Sequence, residues 1–132
     1  KDYQQCMVIT KLVALMGMKD RITINISPTR REPSGLAMSS RNTRLSKEGK
    51  KNAATIYQAL SVIKENIKPG NLSQLKETAS QLLIDKNFKP DYVEIADAST
   101  LQPITDWDGR QKVVALIAAF LEEVRLIDNM LL

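Results

Sequence analysis

The chain has 132 residues, 43% of them hydrophobic and 26% charged, enough for one globular domain with a buried core. It holds no histidine and one cysteine, Cys6, which excludes histidine acid–base catalysis, an internal disulfide and a histidine/cysteine zinc site within these residues. The net charge of +4 is uneven: residues 1–51 carry 11 Lys/Arg against 4 Asp/Glu, and residues 52–132 carry 8 against 11.

A basic front half suits an anionic ligand, and equally a solvated surface. No apolar run reaches the length of a bilayer span and no signal-peptide pattern opens the chain. With no disulfide framework, the expected compartment is intracellular, in the cytoplasm. The chain begins at Lys1 without an initiator methionine and runs at once into a helical pattern, so the expectation is a piece of a longer protein.

From Gln5 onward, Val8, Ile9, Leu12, Leu15 and Met16 recur at spacings of three and four, which predicts a helix with one apolar stripe. Gly17 is its natural stop, Asp2 suits the positive end of its dipole, and Gln5 is expected to extend the buried stripe by one turn. A polar amide there can reach a ligand or serve as a satisfied buried group. Arg21 to Ile26 alternates strictly and predicts a strand with Ile22, Ile24 and Ile26 on one face. Pro28 ends it. The Pro- and Gly-punctuated stretch from Thr29 to Gly35 reads as a boundary between two units.

Next comes Gly35-Leu36-Ala37-Met38-Ser39-Ser40-Arg41-Asn42. Its hydroxyls, amide and guanidinium all donate to phosphate, so it is a candidate anion site, with a plain Ser/Asn turn as the alternative. Ser46 is a good N-cap, and Ala53, Ile56, Tyr57, Leu60, Ile63 and Ile67 predict the core face of a helix of roughly six turns. After Pro69-Gly70-Asn71, a second helix is expected from about Leu72 to Asn87, facing inward through Leu75, Ala79, Leu82 and Leu83.

Tyr92 to Ala96 and Val124 to Asp128 alternate as strands, and the apolar segment from Lys112 to Leu121 fits helix or strand by composition. Its two strand-like neighbours favour strand. The expected fold class is α+β: a small antiparallel, about three-stranded sheet covered by two helices.

Lys1, Arg30, Arg31, Arg41 and Arg44 offer positive charge, and Ser39 and Ser40 offer hydroxyls, groups that stabilise a reacting phosphoryl centre. Neither a Walker-type loop nor G-x-G-x-x-G is present. Adjacent Glu122 and Glu123 would point to opposite faces of a strand, which argues against a carboxylate dyad. Asp106 and Asp108 beside Trp107 read as turn residues rather than metal ligands. Aromatic residues total 5%, with only Tyr3 among the first 51 positions, a poor platform for nucleic acid.

Taken together, these stretches resemble the C-terminal portion of the pantoate–β-alanine ligase family. The resemblance rests on Lys1-Asp2-Tyr3-Gln4-Gln5, Pro28-Thr29, Arg31-Glu32, Gly35 to Asn42, Leu45-Ser46, Asp91 to Ile95, Asp97 to Leu101 and Arg125 to Asn129, in family order along the whole chain. It implies an enzyme that couples pantoate to β-alanine with ATP and Mg2+ through pantoyl adenylate, releasing pyrophosphate and then AMP. It also implies that residues 1–29 are the last helix and strand of a Rossmann-like domain, 30–33 a hinge, and 34–132 a lid over the nucleotide. Lys1, Asp2, Arg30, Met38, Ser39, Ser40 and Arg41 fall where the family binds ATP, with Lys1, Ser39 and Ser40 in the catalytic group, and Gln5 falls where it binds pantoate.

Two departures accompany the resemblance. Arg30 stands where the family often has a small apolar residue that meets adenine through its backbone, and the connection from Gln5 to Pro28 is slightly long. The family's histidine signature lies upstream of Lys1, so this stretch is expected to be inert by itself. Homodimerisation is expected through the N-terminal domain, with no nucleic-acid or membrane partner. A small basic polyanion-binding module, nucleic acid included, is the competing class that the charge asymmetry permits.

Overall fold

The computed structural model describes residues 2–132; Lys1, and with it the expected phosphate contact, lies outside the described residues. Helix α1 covers Tyr3–Leu15, a 3-10 turn Ser40–Arg44, α2 Lys47–Ala53, α3 Thr55–Asn66 and α4 Ser73–Ile84. The strands are β1 Gly70–Asn71, β2 Phe88–Asp97, β3 Asp106–Trp107, β4 Val113–Leu121 and β5 Val124–Leu131.

The main sheet is antiparallel, three-stranded, in the order β2-β4-β5, as the alternation of the two outer strands predicts. The segment from Lys112 to Leu121 supplies its central strand. Val113, Ala115, Ile117, Ala119 and Leu121 join Ile56, Leu60 and Ile63 of α3 and Ala79 and Leu83 of α4 in one core. On the opposite face Val114, Leu116 and Ala96 meet Tyr3, Tyr92, Ala98 and Leu101. A strand covered on both faces has no solvent side, so every residue from Val113 to Ala119 is buried and the polar alternation disappears.

Several expectations are corrected. Arg21 to Ile26 forms no strand: residues 22–30 run without regular structure, and Ile22 and Ile26 are exposed. A strand exists only through backbone bonds to a neighbour, and no partner lies beside this stretch among the described residues. The six-turn helix is two helices. The break is at Ala54, where the chain tightens and the Tyr57 N–H donates to the Ala54 carbonyl at 3.0 Å.

Gln5 is exposed rather than part of a buried stripe, and α1 buries no residue fully. Val8, Ile9, Leu12, Leu15 and Met16 all face outward, because α1 rests on the sheet through Tyr3 and Gln4 instead. Glu122 and Glu123 form the two-residue turn between β4 and β5, with Glu122 at φ 53, so the opposite-faces argument for a strand does not apply to them. The turn-rich stretch from Ser99 to Gly109 contains β3, which pairs with β1 in a second, two-stranded ladder.

Candidate functional site

The ribbon from Arg30 to Met38 carries the serine loop. Arg31 bridges Ala37 in an antiparallel pair, the Glu32 N–H donates to the Leu36 carbonyl at 2.8 Å, and the Met38 N–H donates to the Arg30 carbonyl at 2.9 Å. Gly35 closes this narrow hairpin at φ 89, and an added Cβ there would run into the Tyr57 ring. Arg31 then ties the ribbon down. Its guanidinium donates to both carboxylate oxygens of Asp128 and to the Gly35 carbonyl, and lies 4.5 Å over the Tyr57 ring.

Beyond the ribbon, Ser39 sits in extended backbone and its Oγ accepts from the Arg41 N–H at 3.2 Å, starting the 3-10 turn. The Thr43 hydroxyl donates to the Ser40 carbonyl at 2.7 Å, and Asn42 is buried beneath, its Nδ2 donating to the Ala37 carbonyl at 3.1 Å. These bonds fold the Ser39 hydroxyl into the start of the turn and leave Ser40 and Arg41 exposed on its outside.

The other wall is the start of α1. Asp2 occupies its N-cap position in left-handed backbone, φ 62, without a side-chain cap bond. The Tyr3 hydroxyl donates to the Ala98 carbonyl at 2.7 Å, and the Gln4 Nε2 donates to the Tyr92 hydroxyl at 3.1 Å. Burial pushes the Tyr3 hydroxyl above its ordinary value. The Ala98 carbonyl is in turn held by the Asp97 turn. Asp97 Oδ1 accepts from the backbone and hydroxyls of Ser99 and Thr100, and Oδ2 accepts from Gln111. The Ser99 and Gln111 side chains, with these backbone donors, hold the Asp97 carboxyl far below the usual range.

Between the two walls lies an open cleft of about 470 Å³ lined by Asp2, Gln4, Gln5, Ser39, Ser40 and Arg41. Five of the eight sequence-predicted site residues, Asp2, Gln5, Ser39, Ser40 and Arg41, meet there although 34 residues separate Gln5 from Ser39. Met38 and Arg30 are both exposed and joined by the Met38 N–H to Arg30 carbonyl bond; neither lines the cleft. Gln4 was missed, because its position one residue from Gln5 carries no pattern of its own.

The charge balance of the cleft is simple. The ion pairs among the described residues are Arg31–Asp128, Lys76–Glu94 and Arg125–Asp91, so the Arg41 guanidinium is not committed to a carboxylate. Asp2 is the single carboxylate in the lining. Among the described residues no group of three His, Cys, Asp or Glu is placed to hold a metal ion, and no helix is long and apolar enough to cross a membrane. A cleft with two hydroxyls, two amides and an uncommitted guanidinium can bind an anionic, hydrogen-bonding ligand.

Comparison with known proteins gives this cleft a context. A family model described as pantoate-beta-alanine ligase matches residues 1–131. The chain is 44% identical over 135 residues to the pantothenate synthetase of Cytophaga hutchinsonii, covering 100% of this chain and 47% of that protein. It is 40% identical over 130 residues to that of Azobacteroides pseudotrichonymphae, covering 98% and 46%. The chain thus spans just under half the length of these curated relatives.

Among solved structures, pantothenate synthetase from Thermus thermophilus superposes with a TM-score of 0.86 at 34% identity, over 98% of this chain and 46% of that one. The pantoate-beta-alanine ligase of Francisella tularensis, complexed with beta-gamma ATP and beta-alanine, superposes at 0.64 and 30% identity, over 99% and 41%. With a family match from end to end and a fold shared over nearly its whole length, the chain belongs to the pantoate-beta-alanine ligase family.

Proposed function

We propose that these residues form the C-terminal part of an ATP-dependent ligase that condenses pantoate with β-alanine through a pantoyl-adenylate intermediate. The observation that carries this reading is the convergence of Asp2, Gln5, Ser39, Ser40 and the uncommitted Arg41 on one cleft. In this reading Ser39 and Ser40 donate hydroxyl hydrogen bonds to the ATP phosphates, and Arg41 neutralises charge that builds up as the pantoate carboxylate attacks the α-phosphorus and pyrophosphate leaves. Lys1 adds a second cation there. Gln5 orients pantoate, Asp2 meets the nucleotide, and the main chains of Arg30 and Met38 flank the adenine. Mg2+ arrives as the ATP complex, since the cleft lining supplies one carboxylate and no cluster of metal ligands.

Residues 1–29 then belong to a Rossmann-like domain, 30–33 to the hinge and 34–132 to the lid. The Asp128 clamp on Arg31 ties the ribbon from Arg31 onward to the body that carries the serine loop, so within 30–33 the articulation falls at its start, at Arg30. The family's histidine signature has no counterpart in these 132 residues, so by themselves they bind ATP weakly and do not adenylate pantoate.

Titration of the 132-residue chain with Mg-ATP, followed by amide NMR, tests the reading. Shifts centred on Asp2, Arg30 and Met38 to Asn42, weakened by Arg41→Ala, are expected. Shifts elsewhere, or DNA binding that outcompetes ATP and falls steeply with salt, overturn it in favour of a polyanion-binding module. Pantoate-dependent pyrophosphate release by the same chain would overturn the claim of inertness.

A further inference from the structure

Beneath the serine turn is a small void that no residue role assigned so far explains. It measures about 10 Å³ and is lined by Ala37, Ser39, Arg41, Asn42, Arg125 and Ile127, among others. Asn42 is 6% exposed, and its Oδ1 is the one buried side-chain polar atom among the described residues without a hydrogen-bond partner. The orientation of the carboxamide is settled by chemistry: Nδ2 donates to the Ala37 carbonyl at 3.1 Å, and a flipped amide would set two oxygens against each other. That orientation leaves Oδ1 as the Asn42 side-chain atom without a partner, on a residue that lines the void.

The opposite wall is the open edge of β5. Along an antiparallel edge strand, alternate residues turn both main-chain groups away from the sheet. Arg31 donates to the Asn129 carbonyl and Lys64 to the Leu131 carbonyl, which identifies the odd-numbered residues as the outward set. Arg125 and Ile127 are in that set and line the void. Its walls thus offer acceptors in Asn42 Oδ1 and the β5 edge carbonyls, and a donor in an edge N–H.

We propose that this void is a specific site for a single water molecule that joins the serine turn to the sheet edge. The water donates one hydrogen to Asn42 Oδ1 and the other to an outward carbonyl of Arg125 or Ile127, and accepts from an outward N–H of β5. The volume is at the lower limit for one water and too small for two, and three polar partners are the usual number for a buried water. An unpartnered buried carboxamide oxygen costs on the order of a whole hydrogen bond, so the site is filled whenever a partner of this size can enter. The water completes the underside of the turn whose outer side lines the cleft, and it does not depend on the ligase reading.

A crystal structure of this chain at a resolution that shows ordered solvent tests the site directly. One well-ordered peak within about 3.2 Å of Asn42 Oδ1 and of a β5 main-chain group is expected. In solution, the Asn42 side-chain amide and the β5 edge amides should show water cross-peaks of the sign of a long-lived bound molecule. Asn42→Leu, which fills the void with carbon, should abolish those at the edge amides. A dry void, or Asn42 Oδ1 paired with the Arg41 or Arg125 guanidinium, overturns the proposal. Both measurements on the unaltered chain decide it even where Asn42→Leu fails to fold.

Discussion

Arg31 and Asp128 stand 97 residues apart in sequence and form a two-pronged ion pair, Nη1 to Oδ2 at 2.5 Å and Nη2 to Oδ1 at 3.0 Å. The Asp128 side chain is wholly buried while that of Arg31 is 21% exposed. The pair joins the ribbon that carries the serine turn to the strand at the edge of the sheet. Removing Arg31 leaves the buried Asp128 carboxylate without its cation while the Asn129 N–H stays, so Arg31→Ala should cost about 3–5 kcal/mol in denaturant unfolding. Arg31→Lys keeps the charge but loses the fork and the stacking on Tyr57, and should recover only part of that. The double change Arg31→Met with Asp128→Leu should be markedly less harmful than either single loss. A double variant as unstable as the sum of the singles would show that the pair has no energetic coupling.

A second long-range contact caps α2. Ser46 Oγ accepts from the Gly49 N–H at 2.9 Å, while Glu122, from the β4–β5 turn, accepts from the Ser46 hydroxyl at 2.6 Å and the Ser46 N–H at 3.1 Å. The Ser46 hydroxyl and N–H hold the Glu122 carboxyl below its usual range. A carboxyl depressed in the folded state adds stability that is present above its unfolded pKa and lost as pH falls through the folded value. Stability should therefore decline on acidification from mildly acidic pH, and Glu122→Gln should remove part of that slope. Ser46→Ala loses the cap itself and should lower stability by about 1 kcal/mol at neutral pH. An acid limb identical in Glu122→Gln and the parent would refute the linkage.

The outer face of α1 contrasts with its inner one. Val8, Leu12 and Leu15 are 61%, 52% and 73% exposed, so Leu12→Lys should change monomer stability by less than about 0.5 kcal/mol. Tyr3→Phe, which deletes the hydroxyl bond to the Ala98 carbonyl, should cost about 1 kcal/mol. Lysine at position 12 should also reduce any association at high protein concentration, read by light scattering, because Val8, Ile9, Leu12, Leu15 and Met16 form a contiguous apolar face. A Leu12→Lys variant far less stable than the parent would mean that this face is covered in solution.

Residue type and spacing by themselves determined much of the chain. The N-cap at Ser46 and the inward stripe of Ile56, Leu60 and Ile63 follow from local chemistry and from a helix with one dry face, and the strands around Tyr92 to Ala96 and Val124 to Asp128 follow from their residue alternation. The central strand needed its neighbours, since burial on both faces erased the alternation from Val113 to Ala119. Only the tertiary structure decided the fate of Ile22, Ile24 and Ile26: their alternation is that of a strand, but strand formation depends on a partner that no local pattern supplies. The same holds for the site. The serine turn was visible as donors in a row, but the cleft it forms with Asp2, Gln4 and Gln5 depends on Arg31 closing on Asp128 and Tyr3 on Ala98, contacts across 97 and 95 residues that sequence spacing cannot encode.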